Sequence, residues 1–460
     1  MTSFPRLAAR ALPIALGTLI VPLDSAVNIA FPPITAHFGL PIAEIQWVVI
    51  CYVLTYGSLM LGIGRVGDIF GHRLVFRAGL LWSGLAFLLC SAAPDYAWLL
   101  LCRVMQGIGA ALVISCGPAL VTGLASEAMR GRMLGIYALI FATGSALGPS
   151  LGGVLVQLWG WEAVFWFRAP IALAALLLSH GLTDPPQAGA REPFDLPGAV
   201  LLAVAISAFL LAVNQARHLA EGAPAALLLG AASFAALGGF LWWARRSPRP
   251  LIDPALFRLP GFVSIHAANA LVNLAGFAVL LFVPYWLARI GGWPTVVAGL
   301  VLAAGAAGTM LASPLGGWAI GRRMAPRPLA LLGTALTGAG LFLTSGWEAG
   351  THPALLAATL LLQGVGLGLF QVAYTDIVTG TMRRADRGVA GSLAMVTRTL
   401  GIVTAASLLT LLFRALEAAA LARGAAPEDG FLQAFRQTFY IAAAIPAAVL
   451  AAALLRRPAR

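Results

Sequence analysis

Fourteen long apolar stretches fill the 460 residues of this chain, and its arginines fall almost entirely on one side of them. About 20 apolar residues are what a helix needs to cross the hydrocarbon of a bilayer. Inside that hydrocarbon every backbone N–H and C=O needs an internal partner, so such stretches form helices packed as a bundle. The predicted spans are 11–31, 43–63, 74–93, 97–121, 132–157, 161–181, 196–214, 224–243, 261–288, 294–320, 327–346, 353–379, 388–413 and 434–455. Charged residues are only 10% of the chain, against about 25% in a soluble domain, and hydrophobic residues are 60%. The expected fold class is an all-α polytopic membrane protein with fourteen transmembrane helices.

With the N-terminus inside, 21 arginines lie on the inner side and five on the outer side (Arg217, Arg289, Arg414, Arg423 and Arg436), while Arg103, Arg168 and Arg398 fall within spans. That bias places both termini in the cytoplasm and the chain in the cytoplasmic (inner) membrane. All 29 basic residues are arginine. Without lysine there is no GxxxxGK[ST] phosphate loop, so no nucleotide hydrolysis of that type, and energy must come from a gradient or a partner subunit. The net charge of +12 does not point to nucleic acid, because the arginines are dispersed among short loops rather than gathered on one face. Contact with lipid headgroups accounts for them. Cys51, Cys90, Cys102 and Cys116 all sit within spans without metal-ligand spacing and read as small packing residues. Arg6 and Arg10 precede a long apolar run with no small-residue cleavage site, which reads as the first span rather than a signal peptide.

One offset of 257 residues relates two parts of the chain: Gly64–Arg65 to Gly321–Arg322, Gln106–Gly107 and Gly109 to Gln363–Gly364 and Gly366, Arg130–Gly131 to Arg387–Gly388, and Gly144 to Gly401. The matched pieces share one orientation, which predicts two parallel six-helix repeats plus two inserted helices. The corresponding division is 1–190, 191–250 and 251–460.

Residues 62–74, GIGRVGDIFGHRL, contain a formal GxGxxG. A dinucleotide site requires a preceding strand, and here a membrane helix precedes it. The segment is expected to be a tight turn between spans 2 and 3, in which Gly64 allows close approach. Asp68, with Arg73 and Arg132 nearby, would form a conformational latch on the N-terminus of span 13; the alternative is a solvated loop charge. The second repeat has Ala325 in place of Asp68. Residues 144–153, GSALGPSLGG, contain a formal GxSxG, but within a membrane helix rather than on a strand-to-helix elbow. Gly144, Gly148, Gly152 and Gly153 are expected to give close helix contact, with a bend at Pro149.

Ionisable residues within spans are the sharpest pointers to function. Asp24 lies deep in span 1, with Asn28 one turn on, and Arg103 and Arg168 lie at similar depth in spans 4 and 6. Asp24 either alternates between a proton and Arg103, or forms a permanent ion pair stapling spans 1 and 4. Arg398 sits near mid-membrane in span 13, and Asp376 nearer the cytoplasmic end of span 12. Asn269 and Asn273 in span 9, near His266, face a cavity or bond between helices. Tyr52, Tyr56, Phe277, Gln106, Gln363 and Gln371 complete the candidate substrate cavity together with Asn28, Arg168 and Arg398.

These segments together resemble the major facilitator superfamily, and within it the fourteen-span proton-coupled drug-efflux branch. Leu23 to Pro32 resembles that branch's first-helix motif, Gly64 to Arg73 the superfamily's loop motif, and Arg103 with Gln106, Gly107 and Gly109 the fourth-helix motif associated with proton coupling. Gly144 to Gly153 resembles the antiporter motif of helix 5, and PLIDPALFR at 250–258 the connector into helix 9. The resemblance implies a secondary transporter, not an enzyme, that exports lipophilic small molecules in exchange for protons by alternating access. It implies no cofactor beyond the proton gradient, no metal, and a monomer whose partners are substrate, protons and membrane lipid. Two departures matter: Arg168 stands where the branch usually has asparagine, and spans 10 and 13 lack the carboxylates found in exporters of multivalent cations. Neutral, monocationic or anionic substrates are favoured. One alternative is a facilitator or importer of a polar metabolite. The other is a membrane enzyme, which the scattered His37, His72, His180, His218, His266 and His352 argue against.

Overall fold

The computed structural model of the protein describes residues 4–124, 130–184, 195–215, 223–247, 250, 256, 258–259, 261–322, 324–381 and 387–455. Among them there is no strand. The long helices are α1 (Phe4–Leu19), α2 (Gln46–Phe70), α3 (His72–Ser91), α4 (Tyr96–Gly123), α5 (Arg130–Trp159), α6 (Arg168–Leu178), α7 (Leu196–Gln215), α8 (Ala223–Ala244), α9 (Phe262–Arg289), α10 (Thr295–Gly321), α11 (Pro326–Ser345), α12 (Pro353–Thr381), α13 (Arg387–Ala422) and α14 (Pro427–Leu455). Among the described residues, twelve helical stretches are long and apolar enough to cross a membrane, and Gln46–Met60 and Leu196–Phe209 are shorter apolar stretches.

The helices present leucine and phenylalanine outward, as a lipid solvent requires. Leu227, Leu228 and Phe234 on α8 are more than 70% exposed. Four exposed tryptophans sit at helix ends: Trp98 and Trp159 on one side, Trp242 and Trp318 on the other. Arg246 and Arg322 lie over the Trp242 and Trp318 rings at 4.1 and 4.4 Å. Amphipathic rings capped by guanidinium groups suit the headgroup level.

Three expectations need correction. The first span is not one helix. Proline lacks a donor and clashes with the preceding turn, and α1 gives way at Pro22 to a 3₁₀ turn, Pro22–Ser25, followed by the short helices Ala26–Ile29 and Phe31–His37. Asp24 therefore sits in a break, and Asn28 bonds the Ser25 carbonyl (3.1 Å). The expected turn at 62–74 is mostly helix: α2 runs on to Phe70, and the chain turns only at Gly71, whose φ of +96° suits a residue without Cβ. Its charges and glycines lower the hydropathy and the helical propensity, yet the backbone stays helical to Phe70. Likewise α13 and α14 extend past 388–413 and 434–455, because the charged ends bearing Arg414, Glu417 and Glu428 stay helical.

Helices α1–α6 pack chiefly among themselves, as do α9–α14, while α7 and α8 pair with each other and α7 rests on α2 and α13. Glycines at the 257-residue offset do matching work. A Cβ at Gly144 would meet Pro22 and Leu19 of the first span, and one at Gly401 would meet Ala270 and Leu274 of α9. The tightest approaches between the two sets, among the described residues, run through α5 with α10 and α2 with α13. An ideal Cβ on Gly153 would lie 2.5 Å from the Thr295 oxygen, and one on Gly57 2.7 Å from Thr399. Toward the face where α9 ends, Pro41 and Ile42 line a cavity of about 200 Å³ with Arg289, Thr410, Phe413, Arg414 and Glu417.

Candidate functional site

The break in the first span exposes the Asp24 carboxylate to three neighbouring helices, where it gathers a dense hydrogen-bond cluster. Arg103 of α4 forks onto it, Nη1 to Oδ1 at 2.7 Å and Nη2 to Oδ2 at 2.8 Å. Gln106, one turn along α4, donates Nε2 to Oδ1 (2.7 Å) and accepts from Arg103 Nη1 (2.7 Å). Arg168 of α6 adds Nη1 to Oδ1 at 2.8 Å. The Arg103 Nε donates to the Val48 carbonyl of α2 (2.8 Å), which fixes the plane of the fork. Planar bidentate pairing of this kind orients the guanidinium as well as binding it.

Aromatic faces complete the shell. The Arg103 guanidinium lies over Tyr52 at 4.4 Å and that of Arg168 over Phe87 at 4.4 Å, while Phe165 stands 5.9 Å from both. The Cys90 thiol reaches Gln106 Oε1 (3.8 Å). The arginine side chains are 2% and 0% exposed, and that of Asp24 is 12% exposed. Two buried cations share one buried anion, and Arg168 keeps Nε and Nη2 without a hydrogen-bond partner.

Two residues expected to line a cavity, Arg168 and Gln106, are thus members of the ion cluster. Tyr52 belongs to it as well; its hydroxyl is 3.5 Å from the Val21 carbonyl. Tyr56 lies beside Tyr52 with its ring tilted (5.3 Å between ring centroids), and its hydroxyl donates to Met395 across the α2–α13 seam (3.7 Å). Asn269 bonds across to α13 at Thr397 Oγ1 (2.8 Å) and the Ala394 carbonyl (3.2 Å), and Asn273 folds back onto Asn269. Asn269 is an interhelical tie, and Asn273 is an intrahelical bond that braces it. Phe277 is buried in α9. Gln363 is buried beside Gly276 and Gly340 within the second set. Gln371 and Arg398 are half-buried, each with a buried atom lacking a hydrogen-bond partner, and Arg398 lies near Tyr56. His266 contacts the Tyr374 hydroxyl at 2.7 Å.

Of the expected latch, the side chains of Asp68, Gly64 and Arg132 lie outside the described residues. Arg73 docks elsewhere than expected: its backbone N–H donates to Asp184 Oδ1 (2.7 Å) and its Nη2 to the His180 carbonyl (2.9 Å), tying α3 to the end of α6. In α5, Gly148 and Gly152 press on Ser25, Ala26 and Ile29, while Gly153 faces α10. Pro149 lies inside an unbroken α5, and its carbonyl faces Gly299. Sequence reasoning missed Val48, Phe87 and Phe165, since a backbone carbonyl carries no sequence signal and an aromatic in a span is usually core. At the 257-residue offset, Leu281 and Leu360 replace Asp24 and Arg103, so the second set carries no copy of the cluster.

A sequence profile of the Major Facilitator Superfamily matches residues 14–267 and again 265–460. The chain belongs to the Major Facilitator Superfamily. A puromycin resistance protein of Streptomyces alboniger is 30% identical over 445 residues, covering 95% of this chain and 88% of that protein. A tetracenomycin C resistance and export protein of Streptomyces glaucescens is 31% identical, covering 83% and 71%. A multidrug resistance protein of Mycobacterium tuberculosis is 29% identical, covering 84% and 72%. Among solved structures, a bacterial homolog of the human lysosomal transporter Spinster, inward-facing and unoccupied, has a TM-score of 0.71 at 17% identity, covering 98% and 97%. An auto-inhibited peptide transporter also scores 0.71 at 17% identity, covering 98% of each chain. These two share the superfamily fold.

Proposed function

We propose that this superfamily member exports lipophilic small molecules from the cell in exchange for protons. The observation that carries the reading is a buried carboxylate, Asp24, held by Arg103 in a helix break. Discontinuous helices are where transporters of this kind bind ions and substrate. The resistance and export relatives support the direction of transport. Protonation of Asp24 weakens its hold on Arg103 and frees the break to repack. Substrate binding biases the same equilibrium the other way, so proton and substrate exchange by linkage.

The twelve long spans with the two shorter apolar helices support a fourteen-span topology. The division is 1–190, 191–250 and 251–460, with both termini in the cytoplasm and the chain in the inner membrane. The transporter acts as a monomer, with no cofactor and no enzymatic step. Asp68, Arg132 and Gly64 form its cytoplasmic latch, while Arg73 is engaged by Asp184 and the His180 carbonyl instead. The small residues of α5 let the first span and α10 slide past it.

A panel of neutral, monocationic and anionic lipophilic compounds, tested in cells expressing the protein with and without a protonophore, checks this reading. Protonophore-sensitive efflux of at least one class is expected. Protonophore-insensitive equilibration would favour a facilitator instead.

A further inference from the structure

Arg168 brings more positive charge to Asp24 than an ion-pair staple needs. Arg103 already supplies the bidentate pair, and Gln106 already occupies Oδ1. Arg168 contributes one further bond at 2.8 Å while its own Nε and Nη2 stay buried without acceptors. Leaving charged donors unsatisfied in an interior is costly. As a packing element, then, it is a poor choice.

What it does change is the electrostatic cost of neutralising Asp24. When the carboxyl takes a proton, Arg103 and Arg168 remain as two buried cations, both facing Phe165, with no counter-charge between them. We infer that Arg168 is a second coupling residue: a positioning cation that sets the proton concentration at which Asp24 lets go of Arg103. The inference rests on the antiport reading for its consequence in transport. The electrostatics of the carboxyl do not depend on it.

The other groups around the break are few. Tyr52 comes from α2, with Tyr56 one turn further. Cys90 comes from α3, through Gln106. The α5 face presents Gly144, Ser145 and Gly148, and α1 presents Leu19. None of these is a second acid or base that would take over the role of Arg168.

The test is a titration of the protonated-carboxyl infrared band in purified protein, isolated as the signal that Asp24→Asn removes. Arg168→Asn should protonate at a proton concentration at least about tenfold lower than wild type, since one of two close opposite charges is gone. Arg168→Lys, which keeps the charge and loses only the fork, should stay within a few-fold of wild type. The pH profile of substrate exchange in proteoliposomes should move in the same order. A merely structural Arg168 would lower thermal stability in both variants without moving the titration. Coincident titrations of wild type and Arg168→Asn, or equal displacement in both variants, would overturn the inference. A displaced titration with transport indifferent to a pH gradient would support it while overturning the antiport reading.

Discussion

Arg103→Ala is expected to abolish efflux and to destabilise the folded protein by about 3–5 kcal/mol, the usual cost of removing one partner from a buried ion pair. The substitution removes both arms of the fork on Asp24, the tie to the Val48 carbonyl and the donor to Gln106. Asp24 would then rely on Arg168 and Gln106 alone. Arg103→Lys restores the charge but not the planar fork, so it should recover folding better than transport. Thermal melts in detergent and efflux in cells separate the two effects. If Arg103→Ala transports at the wild-type rate, the cluster is not part of the transport cycle.

Gly153→Val is the second large effect expected, and it acts on the conformational equilibrium rather than on charge. The ideal Cβ falls 2.5 Å from the Thr295 oxygen and 3.1 Å from the Val296 Cα, so backbone must shift rather than a side chain. Overpacking of this kind costs typically about 1–3 kcal/mol, which is enough to shift a two-state population by about 5- to 150-fold. The affected contact joins α5 to α10, one of the tightest between the two helix sets. The variant should therefore fold but favour the state in which α5 and α10 separate. Ile42→Cys, in the lining of the cavity with Arg289 and Glu417, reports on this once the half-buried Cys51 is replaced (Cys51→Ala). Faster thiol labelling from the face where α9 ends, together with lost efflux, is expected. Unchanged labelling in a folded variant would mean that this contact does not govern opening.

Much of the architecture was legible because a bilayer leaves so few solutions: apolar length marks the helices and the repeated glycines mark where they touch. Gly144 and Gly401 show why the repeat was readable, since each lies against the first helix of its own set. The breaks were less legible. Pro22 signals a disruption only when weighed above the apolar run that contains it, and hydropathy alone ended α2 near residue 63 although its polar turn stays helical to Phe70. In the site, charge in the membrane was the readable signal, and it marked Asp24, Arg103 and Arg168. Their pairing was only half readable. Equal depth placed Arg168 level with Asp24 and Arg103, but only the break in the first span turns Asp24 toward it. Asn269 and Asn273 show the converse: polar residues at helical spacing became ties to α13 and to each other, because a buried amide satisfies itself with the nearest acceptor.

The central claim is that Asp24 carries the proton that drives transport. Asp24→Asn keeps the shape and hydrogen-bonding capacity of the side chain but removes the charge that titrates. In proteoliposomes with an imposed pH gradient, wild type should accumulate a transported compound against its gradient. Asp24→Asn should only equilibrate that compound, without uphill accumulation. Full gradient-driven accumulation by Asp24→Asn would contradict the account.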